Sequence, residues 1–349
     1  RPQFIKSSII SSRIEDYYKK KIKEIVVHTG QHYDFEMSKI FFKELKLNKP
    51  KYYLNISRMK HLEMVGQMIF KLERVINKEK PNFILVYGDT NSTLAGAISA
   101  SKKNIPLIHI ESGLRSNNLT MPEEVNRIIT DRISQLLFCP SKISKKNLLK
   151  ENFNKIKDKK VLNFGDVMFD IHQKYKSIFK KKLKIDDYYL VTIHREENCK
   201  LLKLKKIMHN LIKLSEKKKI IFPVHPRIKQ NVKKFIKSKN IILTKPLSYK
   251  EFGKYIFNSY AVITDSGGVQ KESFYFKKNC FVLRKETEWQ ELLNKKYNIL
   301  IDVDKHNFYK LILSTKLKKI DSNFKPYGDG KSAGKIVKYI YKNFNRTIN

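Results

Sequence analysis

Cysteine is scarce in this chain, three in 349 residues, and Cys139, Cys199 and Cys280 lie far apart. They form no CxxC pair, so neither a disulfide framework nor a metal site is expected. A reduced, cytoplasmic interior is the expected setting. Long apolar runs are missing as well. None approaches the roughly 20 residues that cross a bilayer. No signal-peptide pattern is visible, and no membrane partner is expected. Acidic residues are few: 33 Asp and Glu stand against 73 Lys and Arg, a net charge of +40. Such an imbalance can mark a nucleic-acid binder. Here lysine is spread over the whole length, as in Lys19–Lys21, Lys180–Lys182 and Lys217–Lys219. No basic arm and no aromatic-interleaved RNA motif accompanies it, so no specific nucleic-acid partner is expected. With frequent Ile and Asn, the lysine reads as a compositional bias. The charge still speeds encounter with an anionic substrate at low salt. The chain also opens on Arg1-Pro2 with no Met and no apolar strand before it, as expected of a fragment that begins just after a first strand.

A length of 349 residues suits two domains better than one core. Apolar runs alternate with helical patterns. Strands are expected at Glu24–Thr29, Phe83–Tyr87, Pro106–Ile110 and Leu136–Cys139. Helices are expected at Asp34–Leu45, Met64–Lys78, Ser92–Lys102 and Pro122–Ser134. Around Gly165–Leu183 the pattern breaks, and a second series begins. Its strands are expected at Tyr188–Ile193, Ile220–Val224, Ile241–Leu243, Ala261–Thr264 and Cys280–Leu283. Its helices are expected at Lys203–Glu216, Val269–Phe276 and Lys335–Phe344. This alternation predicts an α/β fold with parallel sheets covered on both faces. Two doubly wound domains are expected, 1–167 and 168–332, with a hinge near 166–185. The remaining 333–349 would be a C-terminal helix packing back on the first domain.

Ligands of such sheets bind outside the carboxyl ends of the strands. Asp89, Glu111, His194, His225 and Ser266 all fall at such ends, and the two mouths are expected to face each other across a cleft. Asp265-Ser266-Gly267-Gly268 joins an apolar strand to a helix. Glycine permits close backbone approach there, and the N–H groups of a helix start attract a phosphate or diphosphate. Asp89 can cap the helix after it, and Glu123 and Glu124 can complement a helix dipole. Yet three carboxylates converging on one cleft, Asp89, Glu111 and Glu123, are what acid–base work on a sugar needs. His194-Arg195, and more weakly His225-Pro226-Arg227, suit the phosphate side. Glu272, four residues after Gly268, is placed to reach a ribose.

A series of motifs then runs through the chain. It opens with Arg1-Pro2-Gln3-Phe4-Ile5-Lys6 and His28-Thr29-Gly30-Gln31-His32, then GDTNSTLA (88–95), HIESGLRS (109–116) and MPEEVNR (121–127). GDVMFD (165–170), IHREEN (193–198), PVHPR (223–227) and TDSGGVQKE (264–272) follow. In this order they resemble the non-hydrolysing UDP-N-acetylglucosamine 2-epimerases, from residue 1 to about 340. The resemblance implies the GT-B fold, two Rossmann-like domains around a cleft, and a homodimer. Such proteins typically begin with a strand before Gly-Thr-Arg-Pro, which is absent here. The resemblance also implies that Asp89, Glu111 and Glu123 are catalytic, with His194. Contacts to the nucleotide sugar would come from Arg1, Lys6, Arg127, Arg195, His225, Phe252, Ser266, Gly267, Gly268 and Glu272. The implied reaction inverts carbon 2 of UDP-GlcNAc by loss and re-addition of UDP through a glycal, without NAD or metal. Its product would feed surface polysaccharide synthesis.

Two departures qualify that picture. Members activated by their own substrate carry a glutamine in the loop after Gln31-His32 and an arginine in the next helix. Asp34 and Met68 stand at about those places, so substrate activation is not expected. The opening Arg-Pro-Gln-Phe-Ile-Lys and Thr287-Glu288-Trp289 also look like the branch that epimerises UDP-2,3-diacetamido-glucuronic acid. A GT-B glycosyltransferase is a further alternative, with the same nucleotide site but an acceptor and fewer cleft carboxylates.

Overall fold

The computed structural model describes residues 2–31, 42, 44, 45, 47–57, 59–185 and 187–344. Arg1, His32, Asp34 and most of the helix expected at Asp34–Leu45 lie outside the described residues. The chain divides into two units, 1–173 with 325–349, and 174–324.

The first unit begins with α1 (Pro2–Tyr18), where the sequence pattern assigns no element. Ile5, Ile9 and Ile10 bury one stripe of it. β1 (Val27–His28) is shorter than the strand expected at Glu24–Thr29 and pairs in parallel with β2 (Tyr52–Tyr53). Then come α2 (His61–Glu79), β3 (Ile84–Tyr87), α3 (Asn91–Lys102), β4 (Leu107–Ile110) and α4 (Pro122–Ile133). β5 (Leu136–Cys139), α5 (Lys142–Lys150) and β6 (Lys160–Asn163) follow. β3 to β6 form a parallel sheet in chain order, each crossover carrying a helix. Met64, Met68, Leu72 and Ile76 recur at four-residue spacing on α2 and pack on Leu54, Ile56 and Ala95. Met68 is thus a core residue. α3 buries only small residues on its apolar side, Ala95, Gly96, Ala97 and Ala100, and starts at a reciprocal cap between Thr90 and Thr93.

The break around 165–183 is filled by a helix, α6 (Val167–Phe179). Val167, Met168, Ile171, Tyr175 and Phe179 form its buried stripe. The chain passes from the first unit to the second within it, between Gln173 and Lys174. The C-terminal helix, Ser332–Phe344, belongs to the first unit. It meets α1 where Tyr18 and Tyr341 lie 5.0 Å apart. Asp170 of α6 caps it, accepting from the Ser332 and Ala333 N–H groups at 3.0 and 2.7 Å.

The second unit holds β7 (Tyr189–Thr192), β8 (Ile220–Pro223), β9 (Ile241–Thr244), β10 (Ala261–Thr264), β11 (Cys280–Val282) and β12 (Asn298–Leu300). They are parallel, in the order β12-β11-β10-β7-β8-β9. The chain winds outward from β7, returns to the centre at β10 and winds the other way. This is the Rossmann-like pattern, with its reversal between β7 and β10. α7 (Leu201–Ser215), α8 (Tyr249–Asn258) and α9 (Gly267–Tyr275) are among its covering helices. Val191, Val262, Ile263 and Phe281 are fully buried, as strands covered on both faces require. Among the described residues no helix is long and apolar enough to cross a membrane.

The Asp170 cap carries a pH signature. Burial, opposed by the two N–H donors, pushes its carboxyl up to about 6. A raised carboxyl favours folding in its neutral form. That contribution is complete below the unfolded value near 3.9 and is lost as pH rises through the folded value. The stability of the wild type relative to Asp170→Asn should therefore fall by roughly 3 kcal/mol between about pH 3.5 and pH 7. Urea unfolding at both pH values reads it, and a gap constant with pH would contradict it.

Candidate active site

Three carboxylates of the first unit stand at the ends of neighbouring elements. Asp89 follows β3, Glu111 follows β4 and Glu123 lies in the first turn of α4. Glu111 has a backbone φ of +75°, in the left-handed region that side-chain-bearing residues rarely adopt. The Phe138 carbonyl accepts from the N–H groups of Glu111 and Ser112 at 3.1 and 3.2 Å, fixing where the chain leaves the sheet. Buried Lys6 of α1 donates to Glu111 Oε1 at 2.5 Å and to Gln3 Oε1 at 3.2 Å. Buried Arg127 donates to Asp89 Oδ2 at 2.6 Å and to Glu124 Oε2 at 2.9 Å.

Asp89 registers the gathering of charge. A quarter of its side chain, 25%, is open to solvent, while its Oδ2 is held by buried Arg127. Burial pushes its pKa up. Arg127 and Lys6 pull it down, while Glu111 and Glu123 push the same way as burial. Glu124 differs from Glu123. It is fully buried and accepts from the Ser116 and Asn117 N–H groups at 2.9 and 3.0 Å, which ties the 111–120 loop to α4. Asn126 donates to the Asp89 carbonyl at 3.0 Å.

In the second unit the polar groups gather at the strand-order reversal. β7 and β10 end side by side, Thr192 opposite Thr264, with hydroxyls 2.5 Å apart. Buried Asp265 accepts from the His194 and Arg195 N–H groups and from Asn198 Nδ2, each at 3.1 Å. His194 Nδ1 lies 3.0 Å from the same carboxylate, so the ring donates inward there and keeps Nε2 on its open side; the side chain is 45% exposed. Burial works against charge on Asp265, but His194 and the other donors hold its carboxyl below the usual range.

Ser266 accepts from the Val269 N–H at 3.4 Å and caps α9. The N–H groups of Gly267 and Gly268 belong to the first turn, where no carbonyl inside the helix can take them. Residues 266–268 are partly exposed, while 269–275 are buried. Of α9, solvent reaches only the end that attracts anions. A Cβ on Gly267 would meet Glu288 Oε1, the end of a side chain, at 2.3 Å. Glu288 is held in place by Arg284 at 2.9 Å.

Other expected site residues are more dispersed. His225 follows β8 and accepts from the Arg227 N–H at 3.2 Å. Glu272 is buried in α9. Phe252 is 2% exposed and lies in the buried stripe of α8 with Tyr249 and Ile256. The sequence pattern missed the orienting work of Asp265, whose one signal was its place between a strand and Ser-Gly-Gly. It also missed Arg284, and it named Glu288 only within Thr287-Glu288-Trp289. Among the described residues no group of three or more His, Cys, Asp or Glu side chains could hold a metal ion.

A family model described as UDP-N-acetylglucosamine 2-epimerase matches residues 16–341. A UDP-N-acetylglucosamine 2-epimerase homolog of Methanococcus maripaludis is 42% identical over 357 residues, 97% of each chain. UDP-2,3-diacetamido-2,3-dideoxy-D-glucuronate 2-epimerase of Pseudomonas aeruginosa is 40% identical, over 98% of this chain and 97% of its own. The crystal structure of Methanocaldococcus jannaschii UDP-GlcNAc 2-epimerase in complex with UDP-GlcNAc and UDP is similar with a TM-score of 0.89, at 38% identity over 98% of both chains.

The turn after Glu111 depends on Gly113, which has a φ of +77° and whose added Cβ would meet the Ser144 carbonyl at 2.3 Å. Gly113→Ala should destabilise the first unit by roughly 2–4 kcal/mol. Gly66→Ala, inside α2 with nothing within 4 Å, should stabilise it by about 0.5–1 kcal/mol. Denaturant unfolding of the two variants reads both signs, and equal effects would contradict the steric reading.

Proposed function

The chain belongs to the UDP-N-acetylglucosamine 2-epimerase family, and on that premise we propose that it inverts carbon 2 of UDP-N-acetylglucosamine, giving UDP-N-acetylmannosamine. The observation that carries this reading is the set Asp89, Glu111 and Glu123, near enough for two of them to raise the carboxyl of the first. The proton on carbon 2 is not beside a carbonyl, so it is hard to remove directly. Breaking the bond from carbon 1 to the diphosphate oxygen leaves positive character next to it. A carboxylate then takes the proton, and a carbon 1–carbon 2 double bond forms, giving a glycal and bound UDP. Re-addition of UDP to carbon 1, with a proton delivered to the opposite face of carbon 2, completes the inversion. Nothing is oxidised or reduced, and no NAD or metal is required.

The second unit holds the UDP. Its diphosphate lies over Ser266, Gly267 and Gly268, with His194 and Arg195 beside it, and these dipoles and charges stabilise it as it leaves. The first unit does the proton transfer. Asp89 is suited to it because burial raises its affinity for a proton. Lys6 and Arg127 hold Glu111 and Asp89 in place.

A second reading keeps this chemistry and changes the sugar to a 2,3-diacetamido-glucuronic acid. The Pseudomonas aeruginosa relative favours it. The two sugars differ at carbons 3 and 6, while the bonds that break and form, at carbons 1 and 2, are common to both. On either reading the enzyme works in the cytoplasm, as a homodimer, on a precursor of surface polysaccharide. Leu62 and Phe70 of α2, and Val125 and Ile129 of α4, are exposed apolar side chains that a second copy would cover on this reading.

Incubation with UDP-GlcNAc should give UDP-ManNAc by NMR, with deuterium from solvent entering carbon 2. Both sugars are assayed, and turnover of neither would sink the assignment. Asp89→Asn, Glu111→Gln and Glu123→Gln should each lower turnover by roughly two to four orders of magnitude. All three should still bind UDP, whereas Gly267→Val should lose UDP while its unit stays folded. In the centrifuge the wild type should run as a dimer, and the pair Phe70→Glu with Ile129→Glu as a monomer. A wild-type monomer would refute the dimer alone.

A further inference from the structure

Behind the first unit's carboxylates lies a second, deeper set of polar groups that the proton transfer does not use. His109 is the third residue of β4 and is 0% exposed. Its Nε2 lies 2.7 Å from the carbonyl oxygen of Gly88, the residue before Asp89. Its Nδ1 lies 2.7 Å from Asp131 Oδ1 on α4. Each ring nitrogen faces an oxygen acceptor. The other oxygen of Asp131 accepts from the Gly113 N–H at 3.1 Å and from Arg115 Nη1 at 2.7 Å. Arg115 is steadied from outside by Glu151, through two bonds of 2.7 and 2.8 Å.

One buried carboxylate is therefore bonded to the backbone of two turns. Through His109 it reaches the turn that carries Asp89. Directly, it holds Gly113, two residues beyond Glu111. The second turn needs holding, because Glu111 stands at a φ of +75°. Packing alone does not explain the choice of residues. A buried polar pair costs desolvation that an apolar pair of the same volume would avoid.

We propose that His109 and Asp131 are positioning residues for the epimerisation, setting the backbone of the Asp89 and Glu111 turns at one mutual distance. The role rests on the function proposed above. Neither residue touches substrate. A shift of about 1 Å in either turn would be felt as a rate loss of order 100-fold, with binding largely spared.

Two amide replacements separate positioning from packing. In His109→Gln the amide falls near the Nε2 position and keeps a donor for the Gly88 carbonyl. In His109→Asn it falls near Nδ1 and keeps the donor for Asp131. Each variant loses one hydrogen bond. With turnover referred to folded protein by circular dichroism, His109→Asn should lose about 100-fold in kcat, and His109→Gln roughly ten times less. KM and the Kd for UDP should move less than about twofold in both. Equal losses, no loss, or a loss in KM and not in kcat would overturn the proposal. If His109→Asn does not fold, Asp131→Asn takes its place: kcat should fall at unchanged KM, and wild-type kcat would overturn the pair. Crystal structures give a readout independent of the substrate. The Gly88 peptide should be displaced in His109→Asn and retained in His109→Gln, and an undisplaced peptide in His109→Asn overturns the proposal. Failure of the wild type on both sugars would count against the function and leave this structural readout intact.

Discussion

Parallel strand pairing is the constraint that the other features inherit. In each sheet every paired strand runs the same way, so each strand-to-helix turn leaves by the same edge. Side chains that follow β3 and β4 become neighbours in one sheet, and those that follow β7 and β10 in the other, although tens of residues separate them. In the second unit the order reverses between β7 and β10, and right-handed crossovers send the following helices to opposite faces. A gap in the cover results. Asp265 spans it, standing at the end of β10 while accepting from backbone and side chain just past β7. The turn that presents His194 is thereby tied to the turn that presents Ser266 and the two glycines.

Charge in this protein works at two scales. The excess of +40 is spread over exposed lysines, where salt screens it within about 10 Å. It favours encounter with an anion and says little about chemistry. Among the described residues, buried cations are gripped by carboxylates, Lys6 by Glu111, Arg127 by Asp89 and Glu124, Arg115 by Asp131 and Glu151, and Arg284 by Glu288, while buried Lys271 lies over the Trp289 ring. Such pairs add little to net stability, because desolvation offsets their attraction. What they fix is orientation. A carboxylate gripped from one side offers its remaining lone pairs in a set direction.

Much of this was legible before any coordinates. Short runs of Val, Ile and Leu ending in Asp, Glu or His located β3, β4, β7 and β10 within a residue or so, because a strand buried on both faces has to be apolar throughout. α1 and α6 were not legible. The buried stripe of α1 is made of isoleucines set among serines and presents no clean period, whereas Val167, Ile171, Tyr175 and Phe179 of α6 recur every four residues but sit among exposed polar residues in a stretch read as a hinge. At the site, the residues at strand ends stood out and their partners did not. Asp265 is bonded to groups about 70 positions away, and Asp131 to His109 and Gly113 across a helix and a turn. Spacing along a chain carries no record of such distances.

The first unit is assembled from two stretches of chain, 1–173 and 325–349, with the whole of the second unit between them. On the ribosome, the early stretch emerges while the helix that will cover α1 is still some 150 residues from being made. Until then Tyr18 of α1 and the carboxylate of Asp170 wait without Tyr341 or the N–H groups of Ser332 and Ala333. The second unit, one continuous stretch, meets no such delay. The half that carries the three carboxylates is begun first and closed last, and its exposure to proteases and to aggregation is set by how fast the other half is translated.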